Sequence, residues 1–96
     1  MPKPAWRKRK EDYIAAIDSK HEDELRVSLA DKVHNARSIL FDYRAVGEEV
    51  FDRFSADRDQ TLWYYRSLAN AFARNAPGPM ADEMTRVVAE LEATLR

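Results

Sequence analysis

Only two glycines and four prolines punctuate this 96-residue chain, and none of them falls inside a long amphipathic run. Glycine and proline are the strongest local breakers of regular structure, so their positions mark where helices end. Between the breaks, apolar residues recur at three- and four-residue steps, with no β-type alternation of useful length and no internal repeat. The spacing predicts an all-α chain of four helices joined by short loops.

The first helix is expected to start near Pro4 or Ala5, because proline suits a first turn, and to run to about Asp18. Trp6, Tyr13, Ile14 and Ile17 then share an apolar stripe. Ser19 to Asp23 reads as a charged loop, and Glu24 to Val46 as a long second helix closed by Gly47 as its left-handed cap. In that helix Leu25, Leu29, Val33, Ala36, Leu40 and Tyr43 form one core face. Asp31, Asn35, Ser38 and Asp42 form a polar stripe beside it. A short helical turn is expected over Glu48 to Phe54. Asp57 followed by Gln60 resembles a capping box that opens a third helix, expected from Gln60 to about Asn75. Leu62, Trp63, Tyr65, Leu68, Ala69 and Phe72 are its apolar positions. Ala76-Pro77-Gly78-Pro79 breaks the chain before a last helix, Met80 to Leu95, with Met84, Val87, Val88, Leu91 and Leu95 at helical spacing.

Composition narrows the function classes. Sixteen basic side chains nearly balance seventeen acidic ones, so a global positive field for nucleic acid or an anionic membrane is absent. The absence of cysteine excludes disulfides, iron–sulfur clusters, thiolate zinc sites and a thiol nucleophile. The first ten residues lack the apolar core of a signal peptide. No window approaches the ~18 apolar residues of a membrane span. The expectation is a soluble, cytoplasmic, single domain with neither nucleic acid nor membrane as partner.

The chemistry concentrates in Leu29 to Leu40. This stretch reads as the middle of a largely buried helix, yet Asp31 and Asn35 project from one face, four residues apart. Burying an ionised carboxylate is costly unless a cation or hydrogen bonds compensate it. A hard cation favours such oxygen ligands, which makes Asp31 a candidate metal ligand with Asn35 beside it. The plain alternative is an ordinary polar flank, with Asp31 paired to His34 or Lys32. His34 could serve a metal or a proton transfer, or simply pack. His21 lies in a charged loop without two-histidine metal spacing. The run Arg7-Lys8-Arg9-Lys10 could contact phosphates, or form a solvated helix side bonded to Glu11 and Asp12. Trp63-Tyr64-Tyr65 offers ring faces and hydroxyls, although Trp63 and Tyr65 cannot share a helix face. The alternative there is packing against neighbouring helices. No nucleophile–base pair, glycine-rich phosphate loop or catalytic carboxylate pair can be assembled.

Leu29-Ala30-Asp31-Lys32-Val33-His34-Asn35-Ala36-Arg37 resembles the Leu-Ala-Asp-Lys-Leu-His-Asn-x-Arg segment of HD-superfamily metal-dependent phosphohydrolases. The similarity is greatest to the alarmone hydrolases, meaning the hydrolase half of RelA/SpoT proteins and their small relatives. The flanking order agrees, with a basic helix before the motif, Gly47, Phe51 and Phe54 after it, and then the aromatic helix. The resemblance implies that Asp31 is the last metal-ligand aspartate of a manganese-type site. It also implies that Asn35 lines a nucleotide pocket together with Tyr64, or with Tyr65 in its place. Lys3, Arg9 or Lys10 would supply a basic phosphate contact. The implied reaction is metal-assisted removal of a 3′-pyrophosphate from a guanosine polyphosphate.

The family's upstream histidine and adjacent His-Asp pair have no counterpart here, since the two histidines are His21 and His34. The chain therefore reads as a partial HD-type domain over residues 1–96, the C-terminal half, from a late start, a truncated gene or a fragment. Three of the four expected protein ligands are absent, so the chain alone is expected not to be catalytically competent. The competing expectation is a non-catalytic helical module that binds a complementary chain or associates with itself, because uncovered apolar faces drive association.

Overall fold

The computed structural model describes residues 2–53 and 56–95, without the side chains of residues 2–4 and 53. Among them run four α-helices: α1 (Pro2–Ile17), α2 (Glu22–Val46), α3 (Arg58–Asn75) and α4 (Pro79–Leu95). A 3₁₀ helix, Gly47–Arg53, joins α2 to the segment before α3, and no strand is present among the described residues. The all-α expectation holds. No helix among the described residues is long and apolar enough to cross a membrane.

Helix ends depart from the sequence reading where charge or capping overrides the loop pattern. α2 begins at Glu22 rather than Glu24, so its first turn carries Glu22, Asp23 and Glu24. Carboxylates there complement the positive end of the helix, which draws the acidic cluster out of the loop. α3 begins at Arg58 behind Asp57, whose side chain accepts from the Gln60 amide at 2.9 Å while the Gln60 side chain accepts from the Asp57 amide at 2.9 Å. Gly47 closes α2 by donating its amide to the Tyr43 carbonyl. Its φ of 67° is positive as expected of a glycine cap, but its ψ of −144° lies outside the left-handed helical region. Phe54 lies outside the described residues.

The core is built where α4 packs on both α2 and α3, with α1 laid against α3. α4 buries Ala81, Met84, Val87, Val88, Leu91 and Leu95. α2 buries Leu25, Leu29, Val33, Ala36, Ile39 and Leu40, and α3 buries Leu68, Ala69, Ala71 and Phe72 among others. Trp6 and Ile17 are the buried anchors of α1. Ion pairs stitch the helices at the rim: Arg37 with Glu83, Arg44 with Glu90 at 2.5 Å, and Arg66 with Glu92 through two bonds of 3.0 and 2.6 Å. Asn75 at the end of α3 donates to Asp18 at 2.6 Å, which ties the α1–α2 turn to α3.

The result is a slab of 36 × 32 × 18 Å. One face of α2 is left without a neighbouring helix, and Val27 and Phe41 stand on it 71 % and 74 % exposed.

A candidate anion site between α1, α2 and α3

The motif helix does not bury its acidic residue. Asp31 lies on the exposed side of α2, its side chain 60 % accessible. Its carboxylate takes Lys32 Nζ at 3.5 Å and accepts from Asn35 Nδ2 at 3.4 Å. Lys32 is thus the partner found for Asp31, and His34 is exposed on the outer side of the helix. The expectation of a carboxylate deep in a buried helix is corrected here. The buried phase of α2 runs through Leu29, Val33 and Ala36, and Asp31 falls out of it.

The helical period also sorts the basic run. Arg7 bonds Glu11 at 3.2 Å and Lys8 bonds Asp12 at 3.1 Å, the i,i+4 pairs of a solvated flank. Arg9 is exposed. Lys10 follows Trp6 by four residues, so it falls on the apolar stripe and turns inward. Its Nζ lies 4.6 Å from the Tyr64 ring centre and 5.9 Å from that of Trp6. The aromatic faces offset part of the cost of drawing an ammonium out of water. Lys10, rather than Arg9, is therefore the cation that meets Tyr64. Lys3 is carried on α1, and its side chain lies outside the described ones.

Around Lys10 the rings form a continuous wall. Trp6 meets Tyr64 edge-on at 6.3 Å and Trp63 at 6.2 Å, and Tyr64 meets Tyr65 edge-on at 5.4 Å. Trp63 is half-buried, with the Arg7 guanidinium 3.6 Å from its ring centre, whereas Tyr64 and Tyr65 are buried. Trp63 and Tyr65 thus diverge as their spacing requires, and both pack. A small cleft of about 170 Å³ opens beside this wall, lined by Trp6, Lys10, Ile39, Thr61, Tyr64 and Tyr65 among others.

Electrostatics join the three helices at this place. Partial burial holds the Lys10 ammonium below its ordinary range, and repulsion from Lys32 and Arg9 lowers it further. The Lys32 ammonium stands 4.9 Å from the ring centre of Tyr13. Burial raises the Tyr64 phenol, reinforced by Tyr13, Tyr65 and the Asp31 charge. Burial likewise pushes Tyr65 up to about 12, with Asp31 and Tyr13 contributing. Neither phenol is a base near neutral pH. Both present a neutral O–H, a hydrogen-bond donor suited to an anionic oxygen.

The structure therefore brings Asp31, Asn35, Tyr64 and, of the three basic candidates, Lys10 to one region and adds Lys32 and Tyr13 to it. The phase of Trp6 and Lys10 in α1 is what singles out Lys10 from Arg9. Lys32 carries no signal of its own, because one lysine beside a helix acid is commonplace. For a divalent cation the fit is poor. Asp31 is a single carboxylate already neutralised by an adjacent ammonium, and among the described residues no three His, Asp or Glu side chains converge. A larger cleft of about 540 Å³ lies at the other end, between the α1–α2 and α3–α4 turns, lined by Lys20, Leu25, Arg26, Asn75 and Pro77 among others.

No family model matches the chain, and no curated protein matches it either.

Proposed function

We propose that this chain is the nucleotide-facing, C-terminal part of an HD-type phosphohydrolase of the alarmone-hydrolase kind, and that the face shared by α1, α2 and α3 binds a guanosine polyphosphate or a related nucleotide polyphosphate. The observation that carries the reading is the half-buried Lys10 ammonium, which lies 4.6 Å from the Tyr64 ring centre and lines the cleft with Thr61, Tyr64 and Tyr65. Lys32 is already paired with Asp31, whereas a half-buried ammonium such as Lys10 gains when an anionic oxygen meets it beside hydroxyl donors. The resemblance of Leu29–Arg37 adds the nucleotide and the pocket role of Asn35. The 170 Å³ cleft suits a phosphate or the edge of a base rather than a whole nucleotide, so the rest of the ligand lies along the open face. The reading assigns the chain to the cytoplasm, where nucleotide polyphosphates are found.

The proposed role is binding, not turnover. The family's manganese-type ion does not fit the described residues, so no hydrolytic step is routed through Asp31. The remaining ligands would come from another segment or a complementary chain. Calorimetry with guanosine tetraphosphate tests this. The native chain is expected to bind, with Lys10→Ala and Asn35→Ala each weakening affinity about tenfold, the worth of one lost charge-assisted contact. With manganese added, the isolated chain is expected to release no pyrophosphate. Absence of binding, or affinity untouched by Lys10→Ala, contradicts the reading.

A second reading, a helical self-association module, is favoured by the exposure of Val27 and Phe41 on the open face of α2.

A further inference from the structure

Thr61 is the one buried non-aromatic polar side chain among the described residues, at 5 % exposure. It sits near the start of α3 and lines the cleft of about 170 Å³ with Lys10, Tyr64 and Tyr65. Its hydroxyl donates to the Asp57 carbonyl at 2.8 Å. A hydroxyl has one proton and two lone pairs, so a threonine bound in this way has only acceptor capacity left. The same backbone bond occurs at exposed Thr85, which donates to the Ala81 carbonyl at 3.1 Å. There bulk water serves the remaining lone pairs. Thr61 has the cleft instead.

The other polar groups of the cleft are of a different kind. Lys10 only donates, the two phenols can donate or accept, and Ile39 and Ala56 are apolar. A ligand built of acceptors alone satisfies Lys10 and the phenols but brings Thr61 no proton. Turning the Thr61 hydroxyl toward such a ligand breaks its bond to Asp57. A ligand that carries an O–H beside an anionic oxygen meets both demands.

We propose that Thr61 is a specificity-determining residue of this cleft, accepting a hydrogen bond from a ligand O–H next to the phosphate oxygen held by Lys10. The proposal rests on the nucleotide-binding reading and narrows its ligand. Two sources carry that chemistry: a ribose hydroxyl beside a phosphorylated carbon, and a protonated oxygen of the phosphate itself. In guanosine tetraphosphate the 2′-hydroxyl is the one free ribose hydroxyl, and it neighbours the 3′-pyrophosphate.

Binding measurements on the native chain separate the two sources. If the ribose supplies the proton, calorimetry is expected to show guanosine tetraphosphate binding about tenfold more tightly than its 2′-deoxy counterpart. If the phosphate supplies it, the deoxy form binds equally. NMR titration near neutral pH and at constant ionic strength then shows inorganic phosphate binding about tenfold more tightly than sulfate, which carries no proton there. Thr61→Val, close in shape, is expected to abolish whichever preference the native chain shows, and Thr61→Ser to retain it. Circular dichroism checks the fold of each variant, and Thr61→Ala gives the same comparison where valine is not accommodated. Lys10-dependent binding of guanosine tetraphosphate without either preference overturns the role of Thr61 and leaves the nucleotide reading standing. A preference that survives in folded Thr61→Val does the same. Binding that is absent, or indifferent to Lys10→Ala, overturns both.

Discussion

Lys10 carries a charge in a place that partly excludes water, over the rings of Tyr64 and Trp6 and within the field of Lys32. The folded protein therefore releases this proton more readily than the unfolded chain does. Lys10 accordingly costs stability near neutrality, and the cost is relieved as pH rises through its lowered pKa. In NMR of reductively methylated protein, Lys10 is expected to titrate below the ordinary lysine value of 10.5, and a bound polyphosphate is expected to move it back up. Titration of Lys10 at or above 10.5 would contradict the placement. Tyr65 has the opposite sign. Its phenol is held up to about 12, so the folded state resists ionisation that the unfolded chain undergoes near 10. Stability from Tyr65, and from Tyr64 in the same sense, is fully present below pH ~10 and is lost as pH rises toward the folded-state value. Thermal midpoints are expected to hold steady across neutral pH and fall above about 10, more steeply than in a Tyr65→Phe variant.

At the scale of elements, the strongest local signals sit at boundaries. The Asp57–Gln60 capping box is reciprocal as its spacing implies. Removing it with Asp57→Ala should cost about 1 kcal/mol by thermal melting. Phe72, fully buried where α3 meets the core, should cost about 3–5 kcal/mol when truncated to alanine. The cap and the end of α3 and the apolar stripe of α4 were legible because each rests on interactions within a few residues, although the helix itself begins at Arg58, directly behind its cap, and not at Gln60. The start of α2 was not, since the acidic run looks like a solvated loop until the helix end it caps is known. The exposure of Asp31 follows its place on the polar stripe and not the apolar composition of Leu29 to Leu40, for a related reason. Composition around a residue says less than its phase, and Asp31 is out of phase with Leu29, Val33 and Ala36. The candidate site was legible only in part. Asn35, Tyr64 and Lys10 are all named by the resemblance, but that Lys10 rather than Arg9 turns onto the Tyr64 ring depends on how α1 lies against α3.

For the whole molecule, a slab 18 Å thick leaves little interior, and the long α2 is covered on one side only. On that helix Lys32 lies over the Tyr13 ring of α1, whereas Val27, His34 and Phe41 are exposed. The rim pairs hold the slab together unequally. The doubly bonded, part-buried Arg66–Glu92 pair should matter most, with Glu92→Gln costing about 1–2 kcal/mol. The exposed Arg44–Glu90 pair should matter least, at no more than ~1 kcal/mol. The central claim is the proposal that the face shared by α1, α2 and α3 is an anion site for a nucleotide polyphosphate. The most direct test is a ¹H–¹⁵N NMR titration of the native chain with guanosine tetraphosphate. The account predicts saturable shifts clustered on Lys10, Lys32, Asn35, Thr61 and Tyr64, and their loss in Lys10→Ala. Shifts confined to the Lys20, Arg26 and Asn75 end of the molecule, or none at all, would contradict it.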